Sequence, residues 1–153
     1  IHMQKIHQSI TINAPVAKVW DAMLGKGTYE EWTAMFNPGS RYEGDWSEGS
    51  KILFIGPSGD GTDGESGMVS RIAVNKPHEF ISIEHLGIYA NGVEDTTSEE
   101  AKKWSPAFEN YTFSETDGVT TVTIDQDIED EYKEEFEAMW KKALAKLKEI
   151  CER

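Results

Sequence analysis

The stretch that decides the fold is YKEEFEAMWKKALAKLKEIC, residues 132–151. Tyr132, Phe136, Met139, Trp140, Ala143, Leu144, Leu147, Ile150 and Cys151 recur at helical spacing and form one wide apolar stripe. Glu131, Glu134 and Glu135 crowd the start of this segment, and Lys141, Lys142, Lys146 and Lys148 its later turns, the polarity a helix dipole favours. Asp130 is the expected N-cap. A helix with such a stripe has to bury it against another layer.

The preceding text supplies that layer. Gln4 to Ile12 places Ile6, Ile10 and Ile12 at even spacing, the period of a strand with one buried face. Asn13 is the expected cap of a short helix with Pro15 in its first turn, carrying Val16, Val19, Trp20 and Met23 and ending at Gly25 and Gly27. A second short helix holds Tyr29 and Trp32, and Asn37-Pro38-Gly39 turns the chain. Six strands are expected next: Tyr42 to Trp46, Lys51 to Ile55, Met68 to Val74, Glu79 to Ile88, Phe108 to Ser114 and Val119 to Ile128. Gly56 to Gly67, with five glycines and one proline, reads as a flexible loop. Ala90 to Lys103 is polar and irregular, and Asp117-Gly118 marks a hairpin. The expected fold is therefore α+β: two short helices after the first strand, then a curved antiparallel sheet of about six to seven strands wrapped around the last helix.

Composition narrows the function classes. The chain has 153 residues, the size of one domain, which we place at residues 4–153, with Ile1-His2-Met3 as a cloning remnant. Fifteen basic against 28 acidic residues give a net charge of -13, which repels phosphate backbones and anionic lipid headgroups, so neither nucleic acid nor a membrane is an expected partner. No apolar run is long enough to span a bilayer, no signal sequence is visible and the single cysteine, Cys151, has no partner; a cytoplasmic location is the expectation.

Several stretches sharpen the picture. Ala14-Pro15-Val16-Ala17-Lys18-Val19-Trp20, Trp32 with Met35 to Gly39, Gly44-Asp45-Trp46-Ser47-Glu48-Gly49-Ser50, Asp117 to Val122 and Leu144-x-x-Leu147-Lys148 together resemble the START-like and Bet v 1-like superfamily (SRPBCC), in its Hsp90-ATPase-activator-homologue (AHSA1-like) branch. The resemblance covers about Gln4 to Ile150. It implies a helix-grip fold with a cavity between sheet and final helix, in which members bind lipids, sterols, polyketides or other apolar molecules and a minority are cyclases or hydrolases. It does not carry Hsp90 activation with it. The N-terminal domain that makes much of the chaperone contact in the eukaryotic co-chaperones is not among these residues.

Polar residues on inward strand positions are the candidate site. His85 shares the face set by Ile81 and Ile83, where it either orients a ligand and moves a proton or is hydrogen-bonded at the sheet end. Tyr111 shares a face with Phe113, and Gln126 with Val122, Ile124 and Ile128, so each reads as cavity lining or as core with its polar group tied off. Trp32, Phe36, Trp104, Phe108, Phe136, Met139 and Trp140 are candidate walls, with Trp104 a candidate gate at the mouth. The same aromatics serve an ordinary core equally well. Asp125, Asp127 and Glu129 alternate onto a solvent face, and no histidine or cysteine stands at metal-ligand spacing, so no metal or cofactor is expected. Gly59 to Gly64 matches a dinucleotide pattern but precedes a strand, without the helix N-terminus that would hold a pyrophosphate.

Three functions compete on this evidence. The first is binding of a small apolar or amphipathic ligand. The second is a cyclase- or hydrolase-type enzyme using His85, without any assigned catalytic residue. The third is a protein-interaction module, such as a chaperone regulator or stress-response accessory. A monomer and a homodimer are both compatible with the sequence.

Overall fold

A computed structural model describes residues 3–58 and 63–153, apart from the side chain of Trp104. Among these residues the chain runs β1 (Met3–Ile12), α1 (Val16–Leu24), α2 (Lys26–Thr33), β2 (Arg41–Gly44), β3 (Lys51–Pro57), β4 (Glu65–Lys76), β5 (Phe80–Ala90), β6 (Val93–Asp95), α3 (Glu99–Trp104), β7 (Ala107–Thr116) and β8 (Val119–Glu129). A 3-10 turn (Asp130–Tyr132) then leads into α4 (Lys133–Glu152). The strands form one antiparallel sheet in the order β1-β8-β7-β5-β4-β3-β2, with the short β6 also paired to β5. The α+β helix-grip arrangement expected from the sequence is present. Among the described residues no helix is long and apolar enough to cross a membrane.

The apolar periods put the core between the layers. Trp140, Ala143, Leu144, Leu147, Ile150 and Cys151 of α4 are buried together with Ile6, Ile12, Ile81, Ile83, Val122 and Ile124 of the sheet. The helix packs against β1, α1 and α2. Burial pushes the Cys151 thiol up to about 11, so it behaves as a small apolar side chain rather than a nucleophile.

Local expectations fail where long-range contacts decide. Asn13 does not cap α1: Pro15 occupies that position, and the free Val16 N–H donates instead to the Glu115 carboxylate of β7 at 2.6 Å. Gly25 ends α1, but Gly27 lies inside α2. Nor does Asp130 cap α4, because the 3-10 turn intervenes and Tyr132 takes the position without a side-chain bond. The first hairpin strand stops at Gly44, where φ reaches +117°, leaving Trp46 outside it. The stretch from Ala90 to Lys103 contains β6 and α3; the latter is capped by the Ser98 hydroxyl, which accepts from the Ala101 N–H. Glu129 is buried where β8 gives way to the turn, so strand alternation no longer governs its direction. The glycine-rich loop is shorter than expected, since β3 continues to Pro57 and β4 starts at Glu65. Of its dinucleotide-like pattern, residues 59–62 lie outside the described residues.

Gly67 is required by the pairing of β3 and β4. A Cβ there would stand 1.7 Å from the Phe54 carbonyl oxygen, which belongs to the neighbouring strand and cannot yield alone. Gly67→Ala is expected to destabilise the domain by roughly 1–3 kcal/mol. Gly27→Ala, in open space within α2, is expected to stabilise it by about 0.5–1 kcal/mol. Urea midpoints of the two variants check both signs.

Candidate functional site

A cavity of about 500 Å³ lies between the sheet, α2 and the first half of α4. Alternation along β7 turns Ala107, Glu109 and Tyr111 into it, and β5 contributes His85, β8 contributes Gln126 and Ile128, and β3 and β4 contribute Phe54, Ile55 and Met68. Helical spacing brings Phe136 and Trp140 of α4 over the top, facing Trp32 of α2 and Phe36 just beyond it. The rings form a continuous wall: Phe36 meets Trp140 edge-on at 4.9 Å, Trp32 and Trp140 lie 5.8 Å apart, and Tyr111 meets Trp140 at 6.0 Å.

One carboxylate organises the polar groups in this wall. Glu109 Oε1 accepts from His85 Nε2 at 3.1 Å and from Gln126 Nε2 at 3.5 Å, and Glu109 Oε2 accepts from the Tyr111 hydroxyl. A carboxylate only accepts, so Nε2 of His85 carries the hydrogen and Nδ1 faces the Ser70 hydroxyl at 2.7 Å. The Trp140 indole N–H, a donor only, bonds Gln126 Oε1 at 2.6 Å and thereby turns the amide nitrogen toward Glu109. The bulge between β4 and β5, at the register shift after Val69, sits beside Ser70 and His85 and re-aims that part of the strands.

Ser70, His85 and Glu109 have the residue types of a hydrolytic triad, but not its access. Ser70 is fully buried behind His85 and does not line the cavity, so no substrate in the cavity reaches its hydroxyl. Its hydroxyl instead bonds Nδ1 of the imidazole. At the rim, Arg41 is held by Glu65 and by Glu43 at 2.8 Å, which together raise its pKa. Asp127 is tied to Lys5 at 2.6 Å and accepts the Phe108 N–H at 2.9 Å.

Burial pushes both the Tyr29 and Tyr111 phenols well above their ordinary range, and the charge of Glu109 pushes in the same direction. A raised phenol pKa means the unfolded chain loses its protons first. The stability these two groups confer is therefore full below about pH 10 and is lost as pH rises beyond it. Tyrosinate absorbance from these residues is expected to appear together with unfolding in an alkaline titration; its appearance while the native circular dichroism persists would contradict their burial.

Of the ten residues singled out from the sequence, His85, Tyr111, Gln126, Trp32, Phe36, Phe136 and Trp140 line the cavity. Phe108 does not, because β7 alternation turns it to the opposite face from Ala107 and Glu109. Met139 does not either, being one position round the helix from Trp140. The side chain of Trp104, the candidate gate, lies outside the described residues. Glu109 was missed. The period that marks Tyr111 and Phe113 as inward reaches it one step earlier along the same strand.

The fold recurs widely. The solution structure of the Aha1 dimer from Colwellia psychrerythraea matches with a TM-score of 0.69 at 16% identity, over 97% of this chain and 96% of that one. MLL2253 from Mesorhizobium loti matches with a TM-score of 0.68 at 14% identity, over 98% of both chains. DynU16, a protein of the dynemicin biosynthetic locus, gives 0.67 at 15% identity over 97% of this chain, which spans about half (47%) of that one. At such identities these likenesses establish the fold alone. No curated protein sequence matches the chain. The sequence profile described as Activator of Hsp90 ATPase homolog 1-like protein, however, matches residues 13–152, from just before α1 to the end of α4. The chain therefore belongs to the Activator of Hsp90 ATPase homolog 1-like family.

Proposed function

We infer that this protein binds a small amphipathic molecule in the cavity between its sheet and C-terminal helix. The observation that carries the reading is an aromatic-walled cavity of about 500 Å³ with an organised polar cluster at Glu109. That volume falls in the roughly 300–1,000 Å³ range of small-molecule sites, and such sites combine apolar walls with a few convergent polar groups. The apolar body of the ligand lies against Trp32, Phe36, Phe136 and Trp140. Its polar end meets the cluster of Glu109, Tyr111, His85 and Gln126. The enzyme reading has less behind it, since the hydroxyl of Ser70 is out of reach. The interaction-module reading rests on the family description.

Methyl chemical shifts during titration with a panel of small amphipathic molecules test this. The expected perturbations concentrate on the lining methyls of Ile55, Met68, Ala107 and Ile128. Shifts confined to exposed groups such as Val93 and Met35 would show surface adsorption and overturn the proposal.

A further inference from the structure

The charged groups that line the cavity are not equivalent. Among its described lining residues the only lysine or arginine is Arg41, and its guanidinium is already engaged by Glu65 and Glu43. Both nitrogens of His85 are also taken, by Ser70 and by Glu109. Among the described lining residues no uncommitted cation is therefore available for an anionic head. The acidic side differs. Asp127 is neutralised at the rim by Lys5, whereas Glu109 has no lysine or arginine partner and keeps its remaining exposure, 16% of the side chain, toward the cavity it lines.

A second group points the same way. Tyr29 lines the cavity at 7% exposure, and its hydroxyl makes no hydrogen bond with the described residues. The neighbouring Tyr42, by contrast, donates its own to the Leu24 carbonyl at 2.7 Å. The Tyr29 phenol feels the charge of Glu109, which, after burial, is the next largest influence raising its pKa. The same is true of Tyr111. The polar end of the cavity thus offers a carboxylate and an unpartnered hydroxyl oxygen, both able to accept, in surroundings that resist further negative charge.

We propose that the ligand is a cationic amphiphile, an apolar body whose protonated amine docks on Glu109 and the Tyr29 hydroxyl. The proposal rests on the ligand-binding reading above and specifies the chemical class for that site. An ammonium supplies three donors and a charge opposite to that of Glu109, and the apolar wall takes its chain. A carboxylate or phosphate head meets like charge in a site partly shielded from water, where screening is weak.

Calorimetric titration with octylamine and octanoate, identical in chain length and opposite in charge, tests the assignment. The wild-type protein is expected to bind the amine at least tenfold more tightly than the carboxylate. Glu109→Gln, nearly isosteric and checked for folding by circular dichroism, is expected to bring that ratio close to one. Tyr29→Phe, which keeps the ring and the wall, is expected to weaken the amine several-fold. Octanoate binding as tightly as octylamine, or a preference that survives Glu109→Gln, overturns the cationic assignment while leaving a binding cavity in place. Failure of both probes to bind overturns the cavity reading itself, and the assignment with it.

Discussion

Trp140→Ala is expected to cost the domain about 3–5 kcal/mol, the largest single loss the structure implies. Trp140 is 2% exposed and stands where α4 meets the sheet and α2 together. Its ring packs on Trp32, Phe36 and Tyr111, and its N–H holds the Gln126 amide in the orientation that serves Glu109. Removing it deletes the wall between cavity and core, and the rigid sheet beneath cannot collapse to fill the gap. For a domain of this size the loss corresponds to a fall in Tm of roughly 6–20 °C. Trp140→Phe, which keeps most of the apolar contact and loses only the N–H, is expected to cost clearly less. Urea denaturation of both variants checks the ranking; a loss below about 1 kcal/mol for the alanine variant would mean that α4 does not depend on this contact.

The second large effect belongs to Glu109→Ala, at about 2–3 kcal/mol. The carboxylate accepts from His85, Tyr111 and Gln126, so its removal leaves three donors unpaired in one place. Each buried orphan costs about 1–3 kcal/mol, but the group borders the cavity, where water replaces part of what is lost. Glu109→Gln keeps an acceptor oxygen and is expected to retain more than half of the lost stability. Tyr111→Phe removes one donor together with its demand and should be milder still. If Glu109→Ala proves neutral, the polar cluster is already hydrated and the carboxylate does not organise it.

The long-period features were legible in the sequence. The stripe from Phe136 to Cys151 announced α4 because a 3.6-residue period admits no other placement, and Asp117-Gly118 announced its hairpin because both residues adopt positive φ, +51° and +77°. What escaped has a common physical cause: it depends on contacts between residues remote in sequence. The cap of α1 comes from Glu115, 99 residues away, and no local pattern shows it. The β4–β5 bulges are single inserted residues that leave composition unchanged. In α3 only six residues are helical, too few for a period to emerge from a polar stretch. Glu109 is different in kind. A charged residue between Phe108 and Asn110 looks solvated, yet strand alternation alone placed it inward with Tyr111. A charge on an apolar period is the signal to weigh first in such a strand.

The central claim, that the cavity holds a small molecule, is tested most directly by native mass spectrometry of freshly purified protein, with the mass compared before and after denaturation. The expected result is a bound small molecule released on denaturation, or gained when the emptied protein is incubated with amphipathic amines. Identical native and denatured masses, with nothing gained from a panel of amphiphiles of either charge, would contradict it.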